Sequence, residues 1–469
     1  MVTPLVHMGL GFDDLLVPAL VSAGFDTRDL ILVARTDANL SWAARHAPKA
    51  TIVRLPYRAS RNVNVVSGLA PHAALERAAL GAGVDVLDLL LSERAVRRNR
   101  VDTAMNFLNL AAEELESVVA DRGPILALSE FTVPSELLVA GLVAHYGGLA
   151  TWPRGMRIPA DRFGLWGTPR GIGLFQRTDA DVDSVAAGRR HLPAWLRDQD
   201  RPPGYANALQ AESGQELWRL ASDRLREFTL DRGHNLQLPK PIDYLRLPWL
   251  NPVKARLNLR QYRARSWDPL PERYVFMPLH VQPESTVDVM GGDWRDQPYT
   301  ARVLADALAP LGIRLAVKEH ANFMWRRDPD FWHPLESHPN IAAIDPHLDS
   351  RLVMRDATFT VTATGTVGLE AGLLGLPVAT GAPMPWAELG NVAVVARPDD
   401  LTDFVARCGW EDLHEDRAVI DEWFAEHYVR HSWKGSVLDP PRHPAVLEPD
   451  NVKSLGGAFA EAAASIPVP

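Results

Sequence analysis

A chain of 469 residues, 46% hydrophobic and 23% charged, has the composition of a globular protein and is too long for one ordinary core, which predicts two or three domains. Its formal net charge of -9 argues against a duplex nucleic-acid partner, because neutralising phosphates needs a dominant basic surface. The single cysteine, Cys408, excludes an internal disulfide and a thiolate zinc site, and it fits a reducing compartment.

The N-terminal third of the sequence alternates apolar runs with helical spacing. The first residues have no signal-peptide pattern and no apolar run of about 18 residues follows, so we expect a cytoplasmic protein. We predict strands at Leu30–Val33, Thr51–Leu55 and Ile125–Leu128, and a helix at Ala104–Val119. This alternation predicts a parallel, doubly wound sheet in a first domain at residues 1–177.

The middle of the chain, residues 178–268, is helical, polar and Pro-rich in pattern, and we interpret it as a connector. Ser213–Phe228 has the spacing of an amphipathic helix. Lys254–Arg265 contains five cations and no acid. Such a stretch is typical of a solvated helix face or linker, or of a contact with an anionic lipid or acceptor, which would place the protein peripherally at the inner face of the membrane.

The α/β pattern returns in residues 269–435, followed by a Pro-rich tail, 436–469, that ends in a helix at Val452–Ala464. We predict helices at Pro298–Leu311 and Val367–Leu374. The predicted strands are Tyr274–Met277, Ile313–Val317, Ile341–Ile344, Phe359–Ala363, Pro377–Thr380 and Val392–Val395. We expect Val392–Val395 to be the last strand in the chain. The whole pattern favours an α/β, GT-B-like architecture, with two Rossmann-type doubly wound domains facing a central cleft.

The most specific segment runs from the strand near Phe359–Ala363 into Thr364, Gly365 and Thr366, where a helix begins. Free N–H groups and the positive end of the helix dipole suit a phosphate at such a point. Glu370, one turn later, is placed to accept hydrogen bonds from ribose hydroxyls. The alternative is an ordinary strand–turn–helix, with Thr366 as the N-cap and Glu370 at the surface.

Polar side chains also follow two other strands of the C-terminal half, where an open sheet places ligand contacts. After Ile313–Val317 come Lys318 and His320, which we interpret as donors to phosphate. Glu284 is a candidate general base, unless its segment only caps a helix. The set that follows Tyr274–Met277 is His280, Gln282, Glu284, Ser285 and Thr286.

The N-terminal half has fewer signals. Glu130 directly follows a predicted strand and is a second candidate base. Asp13 and Asp14 follow a short Gly-x-Gly element, and Arg157 lies in a loop-like segment; we predict that these three residues face the acceptor. The alternative for Arg157 is a turn or a surface pair. We find no phosphate-loop, metalloprotease or nucleophile-elbow motif, and we predict neither a metal site nor a bound cofactor.

At these residues the sequence resembles the capsule polysaccharide biosynthesis glycosyltransferases, a bacterial GT-B group that includes Kdo transferases. The matching strings are PLHVQPEST, VKEH, HPNIAAIDP and TGTVGLEAGLLGLPV, with LSEFTVPS and RIPADRF as looser matches in the N-terminal half. The resemblance implies a nucleotide-sugar donor in the C-terminal half and an acceptor in the N-terminal half. It implies that His320 contacts the donor phosphate, although Ala321 stands where the family usually has proline.

The resemblance also matches Gln282 and Glu284 with the family's Gln-Pro-Glu element. The residues that match its Gly-Thr-x-Gly-x-Glu loop are Thr364, Gly365, Thr366 and Glu370. A CMP-linked ulosonic acid is the donor that such relatives suggest, and a UDP- or GDP-sugar stays open. We expect metal-independent transfer to a saccharide or lipid-linked saccharide. The alternatives are a CDP-linked polyol-phosphate transferase, a nucleotide-sugar epimerase, and a scaffold that binds sugar nucleotides without turnover. The linkage, its stereochemistry and the oligomeric state are left open.

Overall fold

The computed structural model describes most of the chain outside its middle. The described residues are 2–9, 11–56, 70–92, 101–131, 133–167, 173–177, 182–197, 266–282, 285–320, 329–438 and 443–467, with 257, 260, 262, 323, 327, 440 and 441. The predicted helix at Ser213–Phe228, most of the basic stretch Lys254–Arg265 and the candidate base Glu284 lie outside these residues, as do the side chains of Ser285 and Thr286.

The strands of the described residues form two sheets. In chain order they are β1 Thr3–His7, β2 Ile31–Ala34, β3 Thr51–Arg54, β4 Ile125–Leu128, β5 Leu149–Gly155, β6 Arg162–Trp166, β7 Tyr274–Pro278, β8 Arg314–Lys318, β9 Ile341–Ile344, β10 Thr360–Thr362, β11 Val378–Thr380, β12 Val392–Val394 and β13 Trp433–Lys434. Every strand predicted from the sequence is present, with ends that differ by one residue at most.

The first sheet has the strand order β13-β6-β5-β4-β1-β2-β3. Strands β1 to β5 are parallel, while β6 and β13 add an antiparallel edge. The second sheet is parallel and has the order β12-β11-β10-β7-β8-β9. In both sheets the chain first winds outward to one edge and then returns to start beside its first strand, which is the order of a Rossmann-type fold.

The α-helices of the described residues lie between these strands, except for the last, which follows β13. They are α1 Asp13–Ser22, α2 Asp37–His46, α3 Ala73–Ala82, α4 Val86–Ser92, α5 Val101–Val119, α6 Pro134–His145, α7 Val182–Leu196, α8 Ser285–Asp288, α9 Gln297–Leu308, α10 Pro329–Glu336, α11 Ser350–Arg355, α12 Thr366–Leu373, α13 Asp400–Ala406, α14 Arg417–Trp423 and α15 Pro449–Ala464. The predicted helix Pro298–Leu311 corresponds to α9 plus a 3-10 turn at Ala309–Leu311, where Pro310 interrupts the α-helical hydrogen bonds.

Burial on both faces explains why the central strands are continuously apolar. All four residues of β2 and of β4 are buried, as expected for parallel strands covered by helices. The second sheet is packed in the same way, with Val275, Leu315 and Val361 fully buried in a cluster that also contains side chains of α9. The alternation of strands and helices in the sequence therefore predicted the layers correctly.

The described chain divides into two compact units, but not at the boundaries that composition suggested. The first unit contains Met1–Leu192 and Ala425–Pro469, and the second contains the described residues between 193 and 424. The C-terminal tail is thus part of the first unit rather than a separate segment. The prediction that Val392–Val395 is the last strand is wrong, because β13 follows and pairs with β6.

Specific contacts hold the tail in the first unit. The Arg162 side chain donates hydrogen bonds to the hydroxyl and the carbonyl of Ser432, at 2.6 and 3.1 Å. The rings of Phe163 and Trp433 stack with their centroids 5.8 Å apart. Helix α15 packs closely on α1, where a Cβ at Gly456 would lie 2.7 Å from the carbonyl oxygen of Ala19. Glycine therefore sets how near these two helices approach.

A helix long and apolar enough to span a bilayer is not found among the residues that the structure describes.

Candidate functional site

In the second sheet, the direction in which the chain adds strands reverses between β7 and β10. Strands β8 and β9 lie on one side of this pair, and β11 and β12 lie on the other. Connections that leave in opposite directions open a crevice at the carboxyl ends of the two central strands, which is where open α/β sheets bind ligands. The loops after β7 and β10 carry His280 and the Thr364–Thr366 turn, so the sequence-predicted residues lie at this point.

A histidine joins the two loops. His280 Nε2 lies 3.0 Å from Thr362 Oγ1 and accepts a hydrogen bond from the N–H of Ala363 at 3.3 Å. Thr362 Oγ1 in turn accepts a hydrogen bond from the N–H of Gly365 at 3.0 Å. Thr362 was not predicted from the sequence. A threonine in a buried strand could have indicated this contact, because a buried hydroxyl needs a hydrogen-bond partner.

The environment of His280 keeps its ring neutral. Burial, together with the charges of His320 and Arg327, lowers the pKa of His280 to about 3. A neutral ring can accept the Ala363 N–H through Nε2, whereas an imidazolium has no free lone pair. The remaining proton then lies on Nδ1. His280 therefore supports the loop by hydrogen bonding at every pH at which the protein is expected to work.

The turn after β10 is tight. Gly365 is the N-cap of α12, with φ -68° and ψ 150°, a conformation open to any residue. A Cβ at Gly365 would lie 2.7 Å from Thr362 Oγ1 and 2.9 Å from His280 Cε1, so glycine is required by space. The alternative in which Thr366 caps the helix is wrong, because Thr366 is already the first helical residue.

Two threonines and a glutamate of this segment differ in exposure. Thr364 is buried and Thr366 is exposed at the first turn of α12. Glu370 is only 3% exposed, so the alternative that made it a surface residue is wrong. A contact between Glu370 and a ribose stays a prediction.

Gln282 stabilises the loop after β7 by hydrogen bonds to the residues that follow it in the chain. Its Nε2 donates to Asp288 Oδ1 at 2.7 Å and to the Arg295 carbonyl at 2.8 Å, and its Oε1 accepts from Gln297 Nε2 at 2.9 Å. Gln297, which is 1% exposed, also accepts the N–H of His280 at 2.7 Å. These contacts orient the His280 backbone, and the sequence analysis missed Gln297.

A buried ion pair connects the loops after β7 and β8. Arg327 Nε and Nη2 donate to the two carboxylate oxygens of Glu319 at 2.7 and 2.8 Å, and Nη2 also donates to the His280 carbonyl at 2.7 Å. Both side chains are at most 3% exposed. The guanidinium lies 4.1 Å from the ring centroid of Phe331. This pair was not predicted, since Glu319 stands between two basic residues in the sequence.

Lys318 and His320 occupy different environments beyond β8. Lys318 is buried, its Nζ donates to Ser350 Oγ at 3.0 Å, and desolvation lowers its pKa. This contact directs Lys318 to the start of α11 rather than to His280. His320 is half-buried and near enough to His280 to affect its pKa. Of the two predicted phosphate donors, the structure brings His320 to the switch point.

The first sheet has its own switch point, between β1 and β4. His7 ends β1 and lies 3.0 Å, through Nε2, from Ser135 Oγ in the first turn of α6. Glu136 Oε1 lies 3.6 Å from His7 Nδ1 and 3.8 Å from Arg35 Nη1. Burial and the charge of Arg35 lower the pKa of His7, so its ring is neutral as well. His7, Arg35 and Glu136 were not predicted from the sequence.

The acceptor-side residues predicted from the sequence are spread over this unit. Asp13 is 4% exposed in the first turn of α1, whereas the exposed Asp14 accepts a hydrogen bond from Trp42 Nε1 at 2.6 Å. Glu130 follows β4 and precedes Phe131, whose φ of 62° is costly for a bulky residue. Arg157 is half-buried after β5. Asp13 and Glu130 thus follow the two strands of the switch point.

Comparisons with known proteins give similarity at the level of solved structures. No family model and no curated protein sequence matches the chain. The UDP-GlcNAc 2-epimerase of Neisseria meningitidis, bound to UDP-GlcNAc, is 10% identical over 98% of this chain and 97% of its own, with a TM-score of 0.23. The calicheamicin glycosyltransferase is 17% identical over 92% and 94% of the two chains, with a TM-score of 0.28.

A third solved structure, the Methanocaldococcus jannaschii UDP-GlcNAc 2-epimerase with UDP-GlcNAc and UDP, is 11% identical over 92% of this chain and 99% of its own, with a TM-score of 0.27. The fold of the present chain is assigned from its own two sheets.

Proposed function

We propose that the chain is a GT-B-type glycosyltransferase that moves a sugar from a nucleotide sugar to a saccharide acceptor in bacterial surface-polysaccharide synthesis. The second unit binds the donor and the first unit binds the acceptor. The reaction takes place in the cytoplasm. A CMP-linked ulosonic acid is the donor that the sequence resemblance favours, and UDP- or GDP-linked sugars are its competitors.

The observation that carries this proposal is the turn before α12 at the switch point of the second sheet. The turn has no space for a side chain larger than that of glycine, and its backbone is fixed by hydrogen bonds through Thr362 and His280. The first N–H groups of a helix lack intrahelical partners and lie at its positive end, so they suit a nucleotide phosphate. In transfer, the same donors stabilise the charge that develops on the departing phosphate, without a metal ion.

The buried residues around the turn fit this role. Because His280 is neutral and hydrogen-bonded, it holds the loop without adding charge of its own. A cation beside it among the described residues is Arg327, which is paired with Glu319 and donates to the His280 carbonyl. His320 is the predicted phosphate contact at this edge. Electrostatic stabilisation of a leaving group requires hydrogen-bond donors and charges that are already held in position, as these residues are.

Thermal melting with CMP, CDP, UDP and GDP tests the donor site. We expect one nucleotide to raise the melting temperature of the wild type, since a ligand present at 100 times its Kd adds about 2.7 kcal/mol to the stability of the folded state. Gly365→Ala should weaken this binding tenfold or more, a loss of about 1.4 kcal/mol, because the added methyl separates His280 from Thr362.

Gly457→Ala is the matched control, because an added methyl there meets no atom within 4 Å. It should leave the nucleotide-induced shift unchanged. If none of the four nucleotides stabilises the wild type, or if Gly365→Ala binds as well as the wild type, the phosphate site is wrongly placed.

Product analysis separates the rival activities. A glycosyltransferase adds the mass of a sugar to a saccharide acceptor, and a CDP-linked polyol-phosphate transferase adds the mass of a polyol phosphate. An epimerase converts the donor with no acceptor present. A scaffold binds a nucleotide and turns over nothing. Incubating each nucleotide sugar with and without a panel of fluorescent saccharide glycosides, followed by mass spectrometry, distinguishes these four outcomes.

A further inference from the structure

A carboxylate that the sequence analysis placed only near the acceptor is held at the switch point of the first sheet. Asp13 follows β1 in the first turn of α1, where open sheets present ligand-binding groups. Its Oδ1 accepts a hydrogen bond from the N–H of Gly9 at 3.3 Å, and its Oδ2 accepts one from Asn39 Nδ2 at 3.3 Å. The carboxylate is thus oriented by two different elements.

The second of these contacts is itself fixed. Asn39 belongs to a capping box at the start of α2: its N–H donates to Thr36 Oγ1, and its Oδ1 accepts the N–H of Thr36, both at 3.1 Å. The same oxygen accepts the N–H of Arg35 at 3.2 Å. The Asn39 amide cannot rotate without losing these bonds. Its Nδ2 is therefore directed at Asp13 by the fold.

Both oxygens of Asp13 have capacity for a further partner. Each carboxylate oxygen has two lone pairs, and among the residues that the structure describes each accepts one of the two long hydrogen bonds given above. The Gly9 N–H and Asn39 Nδ2–H hold the carboxylate in place without using all of its acceptor sites. A hydroxyl that reached this carboxylate, which is 4% exposed, would meet an oriented acceptor.

The charges around Asp13 leave it able to exchange a proton near neutral pH. Burial raises the pKa of Asp13 to about 7, and the negative charge of Asp14 on the same helix acts in the same direction. The hydrogen bonds from Gly9 and Asn39 and the positive charge of Arg35, at the end of β2, oppose this rise. Glu136 Oε1 lies 3.8 Å from Arg35 Nη1 and 3.6 Å from Nδ1 of the neutral His7. A general base is most effective when its pKa lies near the working pH.

We propose that Asp13 is the group that takes the proton of the acceptor hydroxyl. The proposal rests on the proposed function and replaces Glu130 and Glu284 in the role of base. In the step, the O–H bond of the acceptor breaks and its proton moves to a carboxylate oxygen of Asp13. The electron pair of the acceptor oxygen forms the new glycosidic bond to the anomeric carbon. The bond from that carbon to phosphate oxygen breaks, and the nucleotide leaves with its electron pair.

The pH dependence of turnover tests this assignment. The assay uses the nucleotide sugar whose nucleotide stabilises the protein, together with the panel of fluorescent glycosides. We expect kcat of the wild type to rise with pH through about 7, as Asp13 loses its proton. Asp13→Asn should lower kcat by roughly 10²–10⁴-fold and abolish this rise, with the nucleotide-induced melting shift unchanged.

Asp37→Asn is the matched control, because Asp37 is also the first residue of its helix and its carboxylate pairs with the exposed Arg54 at 3.1 Å. It should keep both the wild-type kcat and the rise with pH. Melting curves check the fold of Asp13→Asn independently of activity. A folded-state pKa raised from 3.8 to about 7 removes stability from the wild type as pH rises between these values. Asp13→Asn should not show that loss.

The possible results distinguish a failure of the Asp13 assignment from a failure of the proposed function. If the wild type binds a nucleotide and transfers sugar, but Asp13→Asn keeps its kcat and its rise with pH, Asp13 is not the base and the transferase stands. The same conclusion follows if Glu130→Gln, and not Asp13→Asn, removes the rise. If the wild type transfers no sugar to any glycoside, the proposed function has failed, and the role of Asp13 fails with it.

Discussion

Replacing Arg327 by methionine is expected to lower the free energy of unfolding by about 3–5 kcal/mol, because it leaves the buried carboxylate of Glu319 without its partner. The guanidinium donates two hydrogen bonds to Glu319 and one to the His280 carbonyl, and it lies over the ring of Phe331. Methionine restores part of the packing volume but none of the donors. Denaturant unfolding, monitored by tryptophan fluorescence, measures the change.

Removing both charges should be milder than removing one. In the double variant Glu319→Gln with Arg327→Met, no buried charge is left unpaired, so we expect part of the lost stability to return. Arg397→Met is the control, because its ion pair with Asp400 is exposed and should leave the unfolding curve unchanged. If Arg327→Met unfolds at the same denaturant concentration as the wild type, the buried pair is not present in solution.

Two adjacent glycines of α15 should respond in opposite directions to alanine. At Gly456 a Cβ would lie 2.1 Å from Ser22 Oγ and 2.7 Å from the Ala19 carbonyl, so we expect a loss of about 1–3 kcal/mol from overpacking. At Gly457 a Cβ meets no atom within 4 Å, and alanine should add about 0.5–1 kcal/mol by reducing backbone freedom. Denaturant unfolding of the two variants measures both changes.

This pair of variants also tests where the C-terminal tail belongs. The clash at Gly456 arises only if α15 packs on α1 in the first unit. If Gly456→Ala were as stable as Gly457→Ala, the tail would not pack there, and the antiparallel pairing of β13 with β6 would also be in doubt. Both substitutions remove one glycine from the same helix, so helix propensity cancels in the comparison.

The candidate donor site was partly predictable from the sequence. Thr364, Gly365 and Thr366 were found because a strand that runs directly into a glycine-containing helix start is a local pattern. His280 and His320 were found because polar residues after apolar strands are also visible in one stretch of chain. Which of them meet was not visible, and Lys318, predicted beside them, is bonded to Ser350 instead. Charge alone did not predict the direction of that side chain.

By itself, the sequence predicted nine of the thirteen strands and four of the fifteen α-helices of the described residues, together with the doubly wound arrangement of mainly parallel strands, because apolar periodicity reports burial locally. Only the tertiary structure decided the contacts made over long separations in the chain. His280 meets Thr362 across 82 residues, and Arg162 meets Ser432 across 270 residues. Such contacts depend on how the elements pack, and many residue pairs are equally compatible with the same local pattern. For the same reason, Arg327, Gln297 and the burial of Asp13 became visible only in the folded chain.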